Sequence, residues 1–234
     1  MSVAENIAYV RERIASAAQR AGRNPDEITL MAVSKTVQPE LIHEAYKSGI
    51  RQFGESRVQE FAAKAEALGD LRDVDWHMIG HLQNNKAAKA AEMFSSVDSL
   101  DSLRLAQRLN ASALSLGKRI SVLIEINVGG EESKSGVAPF SHELEELLQT
   151  APKLDYLDFR GLMTVPPFTD DLQQASLYFK RLRDLRDQVA ARHMALNMSV
   201  LSMGMSHDFE IAIQEGSTCV RIGTAIFGER LSVR

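Results

Sequence analysis

One lysine and two glycine-bearing turns are the residues whose types and spacing suit chemistry in this chain. Lys35 closes the apolar run Ile28-Thr-Leu-Met-Ala-Val-Ser-Lys35, which reads as a buried strand. An amine at the tip of such a strand is costly to desolvate unless it is used. A desolvated lysine has a lowered pKa and becomes a nucleophile; the plain alternative is a packed stem with its head in water. Late in the chain, Val200-Leu-Ser-Met-Gly-Met-Ser206 and Cys219-Val-Arg-Ile-Gly-Thr-Ala-Ile-Phe-Gly228 are two further strand-like runs. Each ends in a small glycine-containing turn whose backbone amides suit a phosphate. A nucleophilic amine with a phosphate cradle suggests a phosphorylated small molecule that carries an aldehyde.

Arg221 adds a second chemical group. It lies between apolar Val220 and Ile222, so it points to the opposite face of its strand. A buried guanidinium needs a partner. Two partners suit it: an inward carboxylate such as Glu125, or a ring nitrogen of a ligand. Gly204 and Ser206 at one strand end, and Gly223 and Thr224 at the next, supply the amide-bearing turns.

These residues must be positioned by alternating elements. A helix comes first, with Ile7, Val10, Ile14, Ala17 and Ala18 at helical spacing and Gly22 as its stop. Strands then follow at Ile28–Lys35, Arg51–Gly54, Asp75–Gly80, Ser95–Asp98, Ile120–Val128, Leu157–Val165, Met198–Met203 and Cys219–Phe227. Helical patterns separate them, including Lys86–Met93, Leu103–Leu116, Glu143–Thr150, Leu172–Arg192 and Asp208–Gln214. Strands alternating with helices imply right-handed crossovers and a parallel sheet. Eight repeats in 234 residues predict one α/β domain over 1–234, a (β/α)₈ TIM barrel with an extra N-terminal helix. An open doubly wound sheet would place a Gly-rich turn after its first strand, where this chain has Val-Ser-Lys-Thr. In a barrel the polar strand-end residues, among them Glu55, His77, Glu125, Asn127, Met163, Thr164 and Ser202, converge on the C-terminal mouth.

Composition narrows the class. Hydrophobic residues make up 44% and charged residues 25%, ordinary for a soluble globular chain. A net charge of −4 gives no global field for nucleic acid. The single cysteine, Cys219, forms no internal disulfide and fits a reducing compartment; it reads as a core residue. No apolar run approaches membrane length and no signal peptide is visible, so the expectation is a cytoplasmic protein without membrane contact. His77 and His81 are four apart, which suits ligation on a helix and not on a strand, so no metal is expected. Gly129–Ser135 lacks the glycine before lysine of a phosphate loop and reads as a loop over the mouth, with Lys134 a solvated lysine or a second amine.

The motifs in order resemble one family. Ala32-Val-Ser-Lys-Thr36, Phe53-Gly-Glu55, Trp76-His-Met-Ile-Gly80, Leu82-Gln-Asn-Asn-Lys86, Ser133-Lys-Ser-Gly136, Arg160-Gly-Leu-Met163, Leu201-Ser-Met-Gly-Met-Ser206 and Val220–Gly228 are similar to the pyridoxal phosphate homeostasis proteins. The likeness runs from Ile28 to Arg230. It implies a barrel like the N-terminal domain of alanine racemase. It implies pyridoxal 5′-phosphate as cofactor, with Lys35 forming the internal aldimine and Arg221 facing the pyridine nitrogen. Ser202, Gly223 and Thr224 match phosphate-binding positions; Met203, Gly204, Met163 and Asn127 match pocket positions. The chain departs at Ser56, where the family often has Asn, and at His81, where it often has Pro. Ser56 is therefore not assigned to the cofactor set.

The implied role is a carrier that binds, buffers and delivers the cofactor in vitamin B6 homeostasis, with no catalytic residue assigned. Its partners would be pyridoxal phosphate and the apo-enzymes that depend on it, and a closed barrel suits a monomer. An arginine at the ring nitrogen stays charged and leaves the ring a weak electron sink. The chain closes soon after its last strand, which leaves no room for the second domain of a racemase. The competing reading is a small amino-acid racemase, which needs a second base such as His81 or a tyrosine. Tyr9, Tyr46, Tyr156 and Tyr178 fall on helices or ahead of a strand. A cofactor-free scaffold is the third reading.

Overall fold

The structure, a computed structural model, describes residues 1–131 and 134–228. Its strands are β1 Thr29–Val33, β2 Gln52–Glu55, β3 Asp75–Met78, β4 Ser96–Leu100, β5 Ile120–Glu125, β6 Leu157–Met163, β7 Val200–Ser202 and β8 Cys219–Ile222. All neighbouring pairs are parallel, and β8 returns to β1 with Leu30 opposite Val220 and Met31 opposite Arg221, which closes the barrel. The α/β barrel expected from the sequence is therefore the observed architecture.

The helices are α1 Val3–Arg20, α2 Pro39–Lys47, α3 Val58–Lys64, α4 Ala87–Met93, α5 Leu103–Ser115, α6 His142–Thr150, α7 Leu172–Arg192, α8 Phe209–Gln214 and α9 Thr224–Phe227. The leading helix α1 starts in a capping box. Ser2 accepts from the Glu5 amide, and the Glu5 carboxylate accepts from the Ser2 amide. Its periodic residues Ile7, Val10, Ile14, Ala17 and Ala18 are all buried.

Strand alternation separates two environments. Ala32, Phe53, Val97, Val122, Leu201, Val220 and Ile222 join the apolar core beneath the helices. Thr29, His77, Ser96, Asp98, Ser121 and Leu123 instead line the barrel lumen at the strand starts, and Val33, Lys35 and Arg221 line it at the strand ends. Helix α3 is pinned to the barrel wall by a buried aromatic cluster. Phe61 meets Trp76 at 4.6 Å and Phe94 at 5.0 Å between ring centres, and Phe53 stacks on Trp76 at 5.2 Å.

Six of the expected strands run past their observed ends, and two of these overruns bear on the site. The first ends at Val33, and Ser34 to Thr36 form a turn, so Lys35 sits just past the strand instead of closing it. The last ends at Ile222, and Thr224–Phe227 is a helical turn. The run Thr-Ala-Ile-Phe is too short for periodicity to separate strand from helix. Packing decides: α9 lies against α1, and the Asn6 side-chain amide donates to the Ile226 carbonyl at 2.8 Å. Among the described residues no helix is long and apolar enough to cross a membrane.

Candidate functional site

The C-terminal mouth of the barrel holds a cleft of about 310 Å³. Turns after β1, β2, β3, β6, β7 and β8 build it. Its walls are Val33, Lys35, Ser56, Ile79, Gly80, Val165, Met205, Ser206, His207, Arg221, Gly223 and Thr224. Lys35 enters from β1 and is half-buried. Ser206 accepts a hydrogen bond from the Ala225 amide at 3.3 Å, which ties the β7 turn to the β8 turn.

Two glycines make the cleft possible. A Cβ on Gly80 would lie 2.4 Å from the Ser56 carbonyl oxygen, so two turns of the wall approach as only glycine allows. Gly204 has φ +97°, and a Cβ there would sit 2.6 Å from the Ala212 methyl. Gly204 thus bends the chain from β7 into α8.

Arg221 is 3% exposed and forms the floor. Its Nη1 donates to Ser202 Oγ at 2.7 Å and its Nη2 to the Thr164 carbonyl at 2.7 Å. Burial lowers its pKa, opposed by the fields of Cys219, Asp98, Glu125 and Asp208. Of the two partners weighed for Arg221, Glu125 makes no ion-pair contact with it among the described residues; it acts on Arg221 only through its field. Glu125 is itself buried. Desolvation and the nearby Asp101 charge push its pKa up to about 7, against the pull of Arg221 and His81. Its Oε2 has no hydrogen-bond partner among the described residues.

The residues singled out from sequence divide cleanly. Lys35, Arg221, Gly223 and Thr224 line one cleft, and Ser202 touches the Arg221 guanidinium. Met163 is fully buried at the end of β6, opposite Ser202 and Glu125. Met203 joins the outer apolar core, and its amide donates to the Cys219 carbonyl at 3.1 Å. Asn127 organises its own loop: its amide group donates to the Glu131 carbonyl at 2.8 Å and its Oδ1 accepts from Gly130 at 3.0 Å. Ser56, set aside in the sequence reading, lies on the wall, as do Ile79, Val165, Met205 and His207. Their place at strand ends was the available signal. Ser133, within one family-like motif, lies outside the described residues; Lys134 beside it is exposed. His81 pairs with Asp101 at 3.0 Å, and among the described residues no group of three metal-ligating side chains forms.

A larger groove of about 530 Å³ lies beside α1 and the strand starts, but its arginines are committed to backbone. Arg11 donates to the Ser48 and Gly49 carbonyls, and Arg51 to those of Tyr46 and Ile50. The mouth cleft is the better site because it combines an amine, a buried guanidinium and glycine turns.

Comparison with known proteins agrees with this geometry. The model of the family described as alanine racemase, N-terminal domain, matches residues 6–231. A pyridoxal phosphate homeostasis protein of Aquifex aeolicus is 46% identical over 230 residues, covering 98% of this chain and 99% of that one. Its counterpart in Escherichia coli K12 is 44% identical over 232 residues, covering 97% of each. Among solved structures, PipY of Synechococcus elongatus, determined with PLP bound, superposes with a TM-score of 0.85 at 35% identity, covering 97% of this chain and all (100%) of that one. An alanine racemase of Clostridium difficile shares the fold, with a TM-score of 0.73 at 17% identity, and this chain covers 58% of it. With the barrel, the cleft and these likenesses in agreement, the chain belongs to the pyridoxal phosphate homeostasis protein family.

Proposed function

We propose that the mouth cleft holds pyridoxal 5′-phosphate through Lys35, and that the chain captures and releases this cofactor without robust turnover. The observation that carries the reading is the sharing of one cleft by the Lys35 amine, the buried Arg221 and the Gly223–Thr224 turn. The cleft volume of about 310 Å³ suits a single small ligand. When bound, the cofactor supplies an aldehyde that an amine captures reversibly, and a ring that can accept electrons.

The chain's own residues do the rest. Lys35 would be the amine that captures the aldehyde, since it is the lysine on the cleft wall. Ser202, Gly223 and Thr224 hold the phosphate, with Ser206 bracing the turn. Arg221 would meet the ring nitrogen from the floor, where its permanent charge would discourage protonation. Met163 backs the floor, Met203 packs behind the wall, Gly204 bends the chain into it, and Asn127 orders the outer loop. The absence of turnover is supported by the places of the candidate bases. Tyr9, Tyr46 and Tyr178 lie on α1, α2 and α7, and Tyr156 precedes β6. His81, paired with Asp101, is not part of the cleft lining. Delivery to apo-enzymes, as a cytoplasmic monomer, completes the proposal.

Purified protein loaded with the cofactor should absorb in the near-visible, and borohydride followed by peptide mapping should place the label on Lys35. Lys35→Ala should lose the band. A label elsewhere, or none, overturns the binding mode. Sustained production of a chiral amino acid at an ordinary enzymatic rate overturns the carrier role.

A further inference from the structure

The turn that presents Lys35 is held from behind by a buried charge network. Ser34 and Glu55 are both 0% exposed. The Ser34 amide donates to the Gly54 carbonyl at 3.0 Å, and its hydroxyl donates to Glu55 Oε1 at 2.5 Å. Lys64, on α3, places its ammonium 2.8 Å from Glu55 Oε1 and donates to the Ser34 carbonyl at 2.8 Å. Its second carboxylate is Glu60, at 3.7 Å. Glu60 in turn accepts from the Thr36 amide. The amide and carbonyl before Lys35, and the amide after it, are thereby fixed to β2 and α3.

The turn also carries strain. Thr36 has φ +62°, a conformation that a β-branched residue adopts only when its surroundings impose it. The network is an inefficient way to gain stability. Burial raises the Glu55 pKa even against the attraction of Lys64, and Glu55 Oε2 has no partner among the described residues. Well-packed apolar residues would serve stability as well or better. What ions and hydrogen bonds add is a fixed position.

We propose that Glu55, Lys64 and Glu60 form a clamp whose role is to aim the Lys35 amine into the cleft. They are positioning residues, screened from the cleft by the barrel wall: none of the three lines it. The inference rests on the reading that Lys35 captures the cofactor. Misplacing a reacting group by about an ångström can cost up to a hundredfold in rate, so loss of the clamp should appear in the capture step.

The test compares two ligands. Pyridoxal phosphate reports capture through the growth of its near-visible band. Pyridoxine 5′-phosphate has the same ring and phosphate but an alcohol in place of the aldehyde, so it reports the cleft alone. Glu60→Ala removes the Thr36 acceptor without stranding a buried charge. Glu55→Gln with Lys64→Met neutralises the buried pair together, so that neither variant depends on tolerating an unpaired ion. Both should slow capture at least tenfold and leave pyridoxine phosphate affinity within about twofold, while Lys64→Arg restores capture to within about threefold. Wild-type capture rates in both variants overturn the clamp. Equal loss for both ligands also overturns it, because the network would then support the whole cleft. Lys35→Ala separates the two readings: if it still captures at the wild-type rate, the binding mode fails and the clamp with it. If it does not, while the clamp variants do, only the clamp fails.

Discussion

The two ends of the barrel are both polar, yet they are built differently. At the strand starts a cavity of about 250 Å³ is lined by Thr29, Asp75, His77, Ser96, Asp98, Ser121 and Arg160. Three of its groups are spent on one another. Asp98 is fully buried, meets His77 Nδ1 at 3.0 Å and accepts from Ser96 Oγ at 2.6 Å. Ser96 also reaches the Ser121 carbonyl at 3.2 Å, and Arg160 pairs with Asp158 at 3.0 Å. At the strand ends the polar groups come from turns, stand on glycines and converge on a cleft that holds an amine. Polarity alone does not make a site. A site needs groups aimed at a shared space, and in this architecture the turns after the strands can be reshaped without disturbing the sheet.

The sharpest way to break this comparison is Asp98→Ala. It strands His77 and Ser96 in the lumen and should cost about 4 kcal/mol, the usual toll for halving a buried charged pair. Burial opposes charge on His77, but Asp98 outweighs it and the His77 pKa is raised. The pair's contribution is therefore complete below the ordinary histidine value and fades as pH climbs through the raised one. Urea denaturation should show a larger deficit at pH 6 than at pH 9. Cofactor affinity of the folded variant should not change; a drop would join the two ends into one site.

Glu125→Gln probes the other end, with a smaller effect of opposite sign. The Glu125 pKa is raised to about 7, so its charge carries no cost below about pH 4.5 and its full cost above pH 7. The amide should stabilise the unliganded protein by about 3 kcal/mol at pH 8 and by almost nothing at pH 4.5. Equal effects at both pH values would mean that a partner compensates the carboxylate.

Legibility follows the same division. Helix α7 runs from Leu172 to Arg192 as the pattern predicts, because twenty-one residues of periodicity and the Asp171 cap act locally. The end of β8 is not a local matter, because α1, more than two hundred residues earlier, decides whether Thr224–Phe227 coils. Lys35 and Arg221 were visible as charges in apolar runs. Lys64 was not: on α3 it has the spacing of a surface lysine, and only the approach of α3 to the Ser34 carbonyl distinguishes it. Asn127 shows the converse. Its strand-end position suggested a pocket residue, but its side chain closes a local turn, which is what short amides do most readily.

Arg221→Ala gives the smallest effect of the series and the finest test of the cleft floor. The guanidinium lines the mouth and feels the field of Asp98 in the lumen, so its removal affects both ends in principle. Stability should change modestly, because Ser202 and Thr164 lose a donor and keep acceptor oxygens that water can reach through the space vacated. Binding should weaken more plainly. A charge-assisted hydrogen bond is worth about 2 kcal/mol, so pyridoxal phosphate affinity should fall roughly thirtyfold. Pyridoxine phosphate should lose the same factor, since it presents the same ring nitrogen, whereas inorganic phosphate should lose little. Equal losses for all three ligands would move Arg221 from the ring to the phosphate and make the floor part of the anion cradle. No loss for any would assign it wholly to the lumen, on the His77 side of the comparison.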